Sequence, residues 1–141
     1  MANPFQLSVI TQARTLMTGE ALSVTAPGTE GYLGIWANHA PLVTALQPGK
    51  LTVKDGKGEE SIYALSGGFL EVSRNVVTIL ADAIEEPSAI DYKRAKAAAE
   101  RARKRLAGPR ADVDVSRAEA ALKRAILRMS MAHRKETSHP G

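Results

Sequence analysis

The sequence predicts an α+β protein in which a small antiparallel β-sandwich or barrel precedes a two-helix antiparallel hairpin. Two observations support this prediction. Short stretches of alternating apolar and polar residues occupy the chain up to Pro87, whereas alanine-rich, basic segments with helical periodicity follow it. The length of 141 residues suits a small domain with an appendage. We therefore assign residues 1–86 to a β-sandwich domain and residues 87–141 to a helical hairpin with a frayed tail.

Six strand-like segments occur in the first half, with turn residues between them. Asp55-Gly56, between two such segments, is a strong hairpin signal. Pro48-Gly49 and Gly67-Gly68 also predict turns. Short strands at this spacing are typical of an antiparallel sandwich or barrel. The segments are Phe5–Thr11, Ala21–Thr25, Lys50–Lys54, Ser61–Leu65, Gly68–Val72 and Asn75–Leu80.

The first helical segment begins just after Pro87. Ser88 is the predicted N-cap, with Asp91 three residues later in a near capping box. Helix-forming residues continue to Leu106, and Gly108-Pro109 ends the helix. Its apolar face consists of Ala95, Ala98, Ala99, Ala102 and Leu106.

The second helical segment begins near Asp112 or Asp114 and continues to about Arg134. The short connection between the two segments predicts that the helices pack antiparallel. Alanine buries little area per residue, so we expect a weakly held hairpin whose helices can separate. The apolar stripe of this helix consists of Ala118, Leu122, Ala125, Met129 and Ala132.

Charge is distributed unevenly along the chain. Residues 1–87 contain 5 Lys and Arg against 9 Asp and Glu, residues 88–141 contain 14 against 6, and the whole chain has a formal net charge of +4. A basic helical region suggests an acidic partner, nucleic acid, a nucleotide or an anionic surface. A solvated helix face is the plain alternative.

Composition excludes several classes of protein. The chain has no cysteine, which removes disulfide frameworks, thiolate metal sites and a cysteine nucleophile and fits a reducing compartment. No apolar run approaches the roughly 18 residues of a membrane-spanning helix. The first residues resemble neither a secretory signal nor a transit peptide. We therefore expect a soluble or peripheral protein.

Conventional catalytic motifs are absent from the sequence. There is no P-loop, no dinucleotide fingerprint, no zinc-protease motif and no nucleophile elbow. His39, His133 and His139 lack metal-ligand spacing, and a lone His39 in a loop is typical of a hydrogen-bonded turn. Glu85 and Glu86 have no partner for acid–base chemistry. We predict no catalytic residue, no metal site and no required cofactor, so the chain is not an enzyme by itself.

One constellation of charged residues lies on the two helices. Asp91, Arg94 and Arg101 share a face of the first helix, and Arg124 and Arg128 are i, i+4 neighbours on the second. A folded hairpin brings these arginines together, where they repel one another unless an anion such as phosphate lies among them. The alternative from spacing alone is that Asp91 caps the helix and pairs with Arg94 on a solvated surface.

The order of several short motifs resembles the epsilon subunit of F-type ATP synthase over nearly the whole chain. The chain departs at Ala37, where the family usually has proline or glycine, and at Tyr32, where some members have an acidic residue. The motifs are Gly31-x-x-Gly-Ile35, Asn38-His-Ala-Pro-Leu-Val-Thr-Ala-Leu46, Pro48-Gly49, Ser66-Gly-Gly-Phe-Leu-Glu-Val72, Val76-Val-Thr-Ile-Leu-Ala81, Ile90-Asp-x-x-Arg-Ala95 and Arg117-Ala-Glu-x-Ala-Leu-Lys-Arg-Ala125.

The resemblance implies a ten-stranded antiparallel β sandwich followed by the hairpin. The sandwich would bind the γ subunit and rest on the c-ring as part of the rotor, with Tyr32 and His39 at that interface. The hairpin would switch between a folded state and an extended state. In the extended state the helices would reach the α and β subunits and restrain ATP hydrolysis.

In some bacterial members of this family, ATP binds the folded hairpin as a regulatory ligand. The resemblance carries that role, position by position, to Glu85, Asp91, Arg94, Arg101, Arg124 and Arg128.

A second class of function stays open beside this one. A β-barrel module whose basic helices bind nucleic acid predicts a salt-sensitive affinity for DNA or RNA. The acidic first half, which is poor in base-stacking aromatic residues, argues against it. For the ATP synthase interpretation we expect the cytoplasmic face of the bacterial plasma membrane, with the plastid thylakoid as the alternative.

Overall fold

The chain divides into two compact units. The computed structural model describes residues 3–108 and 114–137, with side chains described as far as residue 132. The first unit is Met1–Ile84 and contains the β-sheet, and the second is Glu85–Gly141 and contains the helices. The division falls just before Pro87, where the character of the sequence changes.

The first unit is a β-sheet that closes on itself. Its strands are β1 (Phe5–Thr11), β2 (Thr15–Gly28), β3 (Gly31–Ile35), β4 (Leu42–Asp55), β5 (Glu60–Ser73), β6 (Val76–Ala81) and β7 (Ile84–Glu85). The order along the sheet is β1-β6-β5-β4-β2-β3, and β7 pairs with β5 beside this path. Because β1 also pairs with β2, five strands form a closed circuit, which confirms the predicted sandwich or barrel.

Two details of the predicted sheet are wrong. β1 and β6 run parallel, so the sheet is mixed and not wholly antiparallel. The described residues form seven strands, because β2, β4 and β5 are each 14 residues long. If each of these three long strands is counted as two, the seven strands correspond to the expected ten. The turns predicted at Pro48-Gly49 and Gly67-Gly68 lie inside β4 and β5, where backbone pairing continues past them.

Alternation within the strands places one set of side chains inside the closed sheet. In β1, Phe5, Leu7 and Val9 are buried, and the residues between them are at least partly exposed. Successive side chains of a strand point to opposite faces, so this period of two lines the core. Each fully buried Val, Leu or Ile side chain contributes about 1.5–3 kcal/mol relative to an exposed one. The core is therefore mainly aliphatic, with Phe5 among its buried residues.

Gly68 allows β5 and β6 to approach closely. Its φ is +144°, a backbone conformation that other residues rarely adopt. A Cβ atom at this position would overlap the carbonyl oxygen of Leu80 on β6. The close approach and the positive φ therefore both require glycine here. β5 stays paired with both of its neighbours at Gly68, so the predicted turn is absent.

The second unit is a helical hairpin preceded by a short 3-10 turn, Pro87–Ala89. α1 spans Tyr92–Ala107 and α2 spans Val115–Thr137. Asp91, and not the predicted Ser88, caps α1, because its Oδ1 accepts a 3.2 Å hydrogen bond from the Arg94 backbone N–H. The 3-10 turn occupies the position of Ser88.

The cap of α2 agrees with the prediction. Asp114 Oδ1 accepts a hydrogen bond from the Arg117 backbone N–H at 3.0 Å, so α2 starts where the sequence indicates. α1 ends before Gly108, also as predicted. The residues 109–113 and 138–141, which include Pro109, Asp112 and the last part of the predicted frayed tail, lie outside the described residues.

Alanines form the contact between the two helices. Ala95, Ala99 and Ala102 are buried on α1, as predicted. On α2 the buried stripe residues are Ala118, Ala125 and Ala132, and the longer Leu122 and Met129 are half-buried. Each alanine buries a single methyl group, worth about 0.8 kcal/mol. The hairpin is therefore held by small increments, whereas the sheet is held by whole aliphatic side chains.

We expect Gly68→Ala to destabilise the protein by more than about 2 kcal/mol. The added methyl group meets the Leu80 carbonyl, and the positive φ is strained for alanine. Thermal or urea unfolding of the full chain measures the effect.

Gly19→Ala is the matched control, because no atom lies within 4 Å of a Cβ at Gly19. This control should change stability by less than about 1 kcal/mol. Equal destabilisation by the two substitutions would contradict the constraint at Gly68.

We also expect residues 1–86 to fold without the helices. Their core is complete within the closed circuit of strands, so its burial does not need the alanine-rich region. Expression of this fragment should give a cooperative thermal transition followed by circular dichroism. A fragment that loses its signal gradually, with no cooperative transition, would show that the sheet depends on the rest of the chain.

Candidate functional site

Four arginines lie on one flank of the hairpin. At about 100° per residue, Arg101 lies within about 20° of Arg94 on α1, and Arg124 and Arg128 are about 40° apart on α2. The helices are antiparallel neighbours, and Tyr92 near the start of α1 lines the same cavity as Ser130 near the end of α2.

The register of the hairpin places the four arginines within about two helical turns, roughly 10 Å, along its length. Residues equally far from the connection lie level, so Arg94 lies level with Arg128 and Arg124 lies between the levels of Arg94 and Arg101. We call Arg94, Arg101, Arg124 and Arg128 the arginine face.

An ion pair lies at one end of the arginine face. Arg128 Nε donates to Glu85 Oε1 at 2.6 Å, and Arg128 Nη2 donates to Glu85 Oε2 at 3.1 Å. The two side chains are 29% and 28% exposed. A bidentate pair of this kind fixes the plane of the guanidinium group. The structure therefore joins two of the six residues predicted to bind ATP.

The alternative for Asp91, a helix cap that also pairs with Arg94, is correct for the cap and not for the ion pair. Its carboxylate caps α1 through the Arg94 backbone N–H. Within the described part of the chain, however, no ion pair joins its carboxylate to the Arg94 guanidinium. The carboxylate therefore fixes the start of the helix on which Arg94 lies and, among the described residues, does not pair with that guanidinium group.

The remaining arginines of the face have no acidic partner. Arg94 and Arg101 are exposed and Arg124 is half-buried, and none of them forms an ion pair within residues 3–108 and 114–132. Guanidinium forks match the oxygen geometry of phosphate and carboxylate groups. The arrangement can therefore hold an anion such as a polyphosphate chain.

Tyr32 lies in the edge strand β3, and His39 lies in the loop that follows this strand. The hydroxyl of Tyr32 accepts a hydrogen bond from the Lys50 backbone N–H at 3.0 Å, although the side chain is 59% exposed. His39 Nδ1 lies 2.7 Å from the Ala40 carbonyl oxygen. This contact agrees with the prediction of a hydrogen-bonded turn histidine.

Asn75 holds the loop that contains His39. Its Oδ1 accepts from the Asn38 backbone N–H at 2.7 Å, and its Nδ2 donates to the Pro4 carbonyl at 3.2 Å. The β3–β4 loop is therefore tied to the turn between β5 and β6. Both Asn38 and Asn75 have positive φ values, which asparagine tolerates better than most residues.

An exposed apolar surface on the sheet was not predicted from the sequence. Phe69 and Leu80 are register partners on β5 and β6 and are 56% and 51% exposed. Ala45 on β4 pairs with Phe69, and Ile10 on β1 pairs with Leu80. We call Ile10, Ala45, Phe69 and Leu80 the apolar row, because they cross four adjacent strands.

The apolar row had a signal in the sequence. Phe69-Leu70 and Ile79-Leu80 place apolar residues on both faces of their strands, whereas a strand with one face in water alternates apolar with polar. Val43, diagonal to Phe69 across the ladder, is also 70% exposed. An apolar surface that continues across several strands marks an interaction site.

Two negative findings apply to the described part of the chain. No helix there is long and apolar enough to cross a membrane. Residues 3–108 and 114–132 contain no group of three His, Asp or Glu side chains placed to hold a metal ion.

Family models match both units of the chain. The model of the ATP synthase delta/epsilon chain β-sandwich domain matches residues 4–87. The model of the long α-helix domain of the same chain matches residues 88–133.

Curated relatives agree with the family models. The ATP synthase epsilon chain of Moorella thermoacetica is 47% identical over 126 residues, covering 89% of this chain and 94% of the relative. The epsilon chain of Shouchella clausii is 48% identical, covering 92% of this chain and 96% of the relative. The epsilon chain of Desulforamulus reducens is 45% identical, covering 94% and 99% respectively.

Solved structures have the same fold. A chain in the cryo-EM structure of the OSCP/F1/c-ring part of the Euglena gracilis mitochondrial ATP synthase superposes with a TM-score of 0.76 and 26% identity, covering 92% of this chain and 81% of that chain. A chain in the cryo-EM structure of the central stalk and c-ring of the Tetrahymena thermophila mitochondrial ATP synthase superposes with a TM-score of 0.67 at 12% identity. The match covers 93% of this chain and 98% of that chain, and it supports the fold alone. This chain therefore belongs to the family of ATP synthase epsilon chains, which are non-catalytic subunits of that complex.

Proposed function

We propose that the chain acts in the rotor of an F-type ATP synthase, where its sheet joins γ to the c-ring and its helices regulate ATP hydrolysis. The observation that carries the regulatory part is the arginine face. Three of its guanidinium groups form no ion pair among the described residues, and on one flank of a weakly packed hairpin they form a ligand-dependent site. ATP is the proposed regulatory ligand. The proposed location is the cytoplasmic face of a bacterial plasma membrane.

The apolar row is the proposed contact with γ. Phe69 and Leu80 are more than half exposed on adjacent strands, and burial of such side chains against a partner removes apolar surface from water. A surface built on paired strands is rigid, so a partner docks on it without ordering it first. This rigidity suits a permanent contact within a rotor.

The β3–β4 loop with the nearby edge strand is the proposed contact with the c-ring. Tyr32 and Trp36 are 59% and 61% exposed, and His39 lies in the loop held by Asn75. Aromatic side chains supply large contact area at low entropic cost. Because Tyr32 replaces the acidic residue of some members, contact here depends on packing and hydrogen bonding instead of charge.

The hairpin is proposed to act as a switch, because its two helices hold each other weakly and share one ligand site. Arg94 and Arg101 belong to α1, whereas Arg124 and Arg128 belong to α2, so a phosphate chain that touches both pairs requires the folded hairpin. A ligand of this kind stabilises the folded state by RT ln(1 + [L]/Kd). Without it, the helices are free to separate and reach the α and β subunits.

Removal of residues 88–141 should leave assembly with γ intact and raise the rate of ATP hydrolysis by the assembled complex. The apolar row remains in the truncated chain, whereas the helices that restrain the catalytic subunits are gone. Co-purification with γ and a coupled ATPase assay measure the two effects.

Phe69→Ser in the full chain is the matched control, because it removes apolar contact area and leaves the helices in place. It should weaken binding to γ by at least about tenfold, as expected for loss of a large interface side chain. An unchanged hydrolysis rate in the truncated complex would refute regulation by the helices. Normal γ binding by Phe69→Ser would refute docking through the apolar row.

Arg124→Ala should weaken ATP binding to the full chain by at least about tenfold. Loss of a charge-assisted hydrogen bond to phosphate costs roughly 1.5–3 kcal/mol. ADP should also bind less tightly than ATP if the terminal phosphate gathers the arginines. Isothermal titration calorimetry on the full chain gives the affinities.

Lys96→Ala controls for net charge, because Lys96 is exposed on α1, about 160° around the helix from Arg94. ATP affinity should be the same in Lys96→Ala and in the unaltered chain. Absence of ATP binding by the unaltered chain, or equal weakening of binding by both substitutions, would show that the arginine face is only a solvated basic surface.

A further inference from the structure

A cavity opens on the flank of the hairpin that faces away from the arginine face. Its volume is about 310 Å³, and both helices contribute to its lining. On α1 the lining residues Tyr92 and Arg103 lie about 160° to 180° around the helix from Arg94. The lining residues of α2 are Ile126, Met129 and Ser130.

The separation from the arginine face holds on α2 as well. Ile126 lies about 200° around the helix from Arg124, and Ser130 lies about 200° from Arg128. One ligand cannot contact the arginine face and this cavity together, because the two lie on opposite sides of the alanine contact. The cavity is therefore a candidate site separate from the proposed nucleotide site.

The base of the cavity is apolar. Ile126 is 44% exposed, which leaves an aliphatic side chain in contact with water. Met129 is half-buried beside it, and its flexible thioether adapts to ligands of different shape. The half-buried ring of Tyr92 forms a further wall. Such a lining binds the apolar body of a small molecule.

Arg103 is the one cation among the described residues that line this apolar base. Arg103 lines the cavity, and neither Glu100 of α1 nor Glu119 of α2 forms an ion pair with it among the described residues. The hydroxyl of Ser130 adds a hydrogen-bonding group to the lining. A ligand that fits both parts has an apolar body and one anionic group.

We propose that this cavity binds a small amphipathic monoanion, such as a medium-chain or aromatic carboxylate. The ligand places its hydrocarbon part against Ile126 and Met129 and its carboxylate against the guanidinium group of Arg103. The volume lies at the lower end of the range for small-molecule sites, about 300–1,000 Å³, so the ligand is small. Because both helices line the cavity, the site exists only in the folded hairpin.

Titration of the full-length chain with sodium octanoate, followed by two-dimensional NMR, tests the proposal. Octanoate should shift the amide signals of Tyr92, Ile126, Met129 and Ser130. 1-Octanol, which has the same chain length without the charge, should bind at least about tenfold more weakly. Absence of shifts at these residues, or equal binding of octanol and octanoate, would overturn the proposal.

Two substitutions separate the site from general charge effects. Arg103→Gln should weaken octanoate binding by at least about tenfold. Arg105→Gln removes the same charge two positions away, about 200° around the helix, and should leave binding unchanged. Equal weakening by the two substitutions would overturn the role of Arg103.

A cavity-filling substitution tests the location without removing a charge. Ser130→Leu adds apolar volume inside the cavity, so it should abolish octanoate binding while the helical circular dichroism signal stays the same. Retained octanoate affinity in a folded Ser130→Leu variant would place the ligand elsewhere and overturn the proposal.

Discussion

The contact between two alanine-lined helices is the constraint on which the hairpin and its sites depend. Ala95, Ala99 and Ala102 on α1 and the alanines of the α2 stripe are buried, and the longer stripe residues Leu122 and Met129 are half-buried. Small side chains allow helices to approach closely. That approach places arginines of both helices on one flank and the cavity on the other. A leucine-rich contact would hold the helices apart and more firmly, and both sites would change shape.

The two units meet opposite physical requirements. The sheet closes through backbone pairing, since β1 pairs with β2 on one side and β6 on the other. Its core is made of whole aliphatic side chains. A contact surface for permanent partners benefits from such rigidity, because little order is gained on binding. The hairpin buries mostly alanine methyl groups, and several of its arginines form no ion pair among the described residues. Both features are typical of an element that changes state.

Local patterns predicted most of the fold, and long-range pairing accounts for what they missed. The period of two in Phe5–Thr11 and the alanine spacing of α1 are patterns among residues close in sequence, so β1 and α1 could both be predicted. The parallel pairing of β1 with β6 joins residues about 70 positions apart, and no local pattern reports it. Gly67-Gly68 has the residues of a turn but lies in a continuous strand. Whether such a segment turns or continues depends on its pairing with neighbouring strands, which the local sequence does not show.

The candidate site was predictable to a similar extent. Helical spacing placed Asp91 and the arginines on common faces, and Asp91 does cap α1. The bidentate pair between Glu85 and Arg128 could not be derived from helical spacing. Glu85 is the last residue of β7, and Arg128 lies on α2, 43 positions later in the chain. The apolar row required the sheet register, since only pairing shows that Phe69 and Leu80 are adjacent.

The parallel pairing of β1 and β6 has a consequence for synthesis of the chain on the ribosome. β1 emerges first and forms its hairpin with β2 early, yet its other edge has no partner until β6 has been translated. During that interval an unpaired strand edge with apolar residues on both faces is accessible to other nascent chains. Closure of the circuit is thus a late, non-local event, and such events slow folding. The free edge of β1 is therefore exposed from the translation of β2 until the translation of β6.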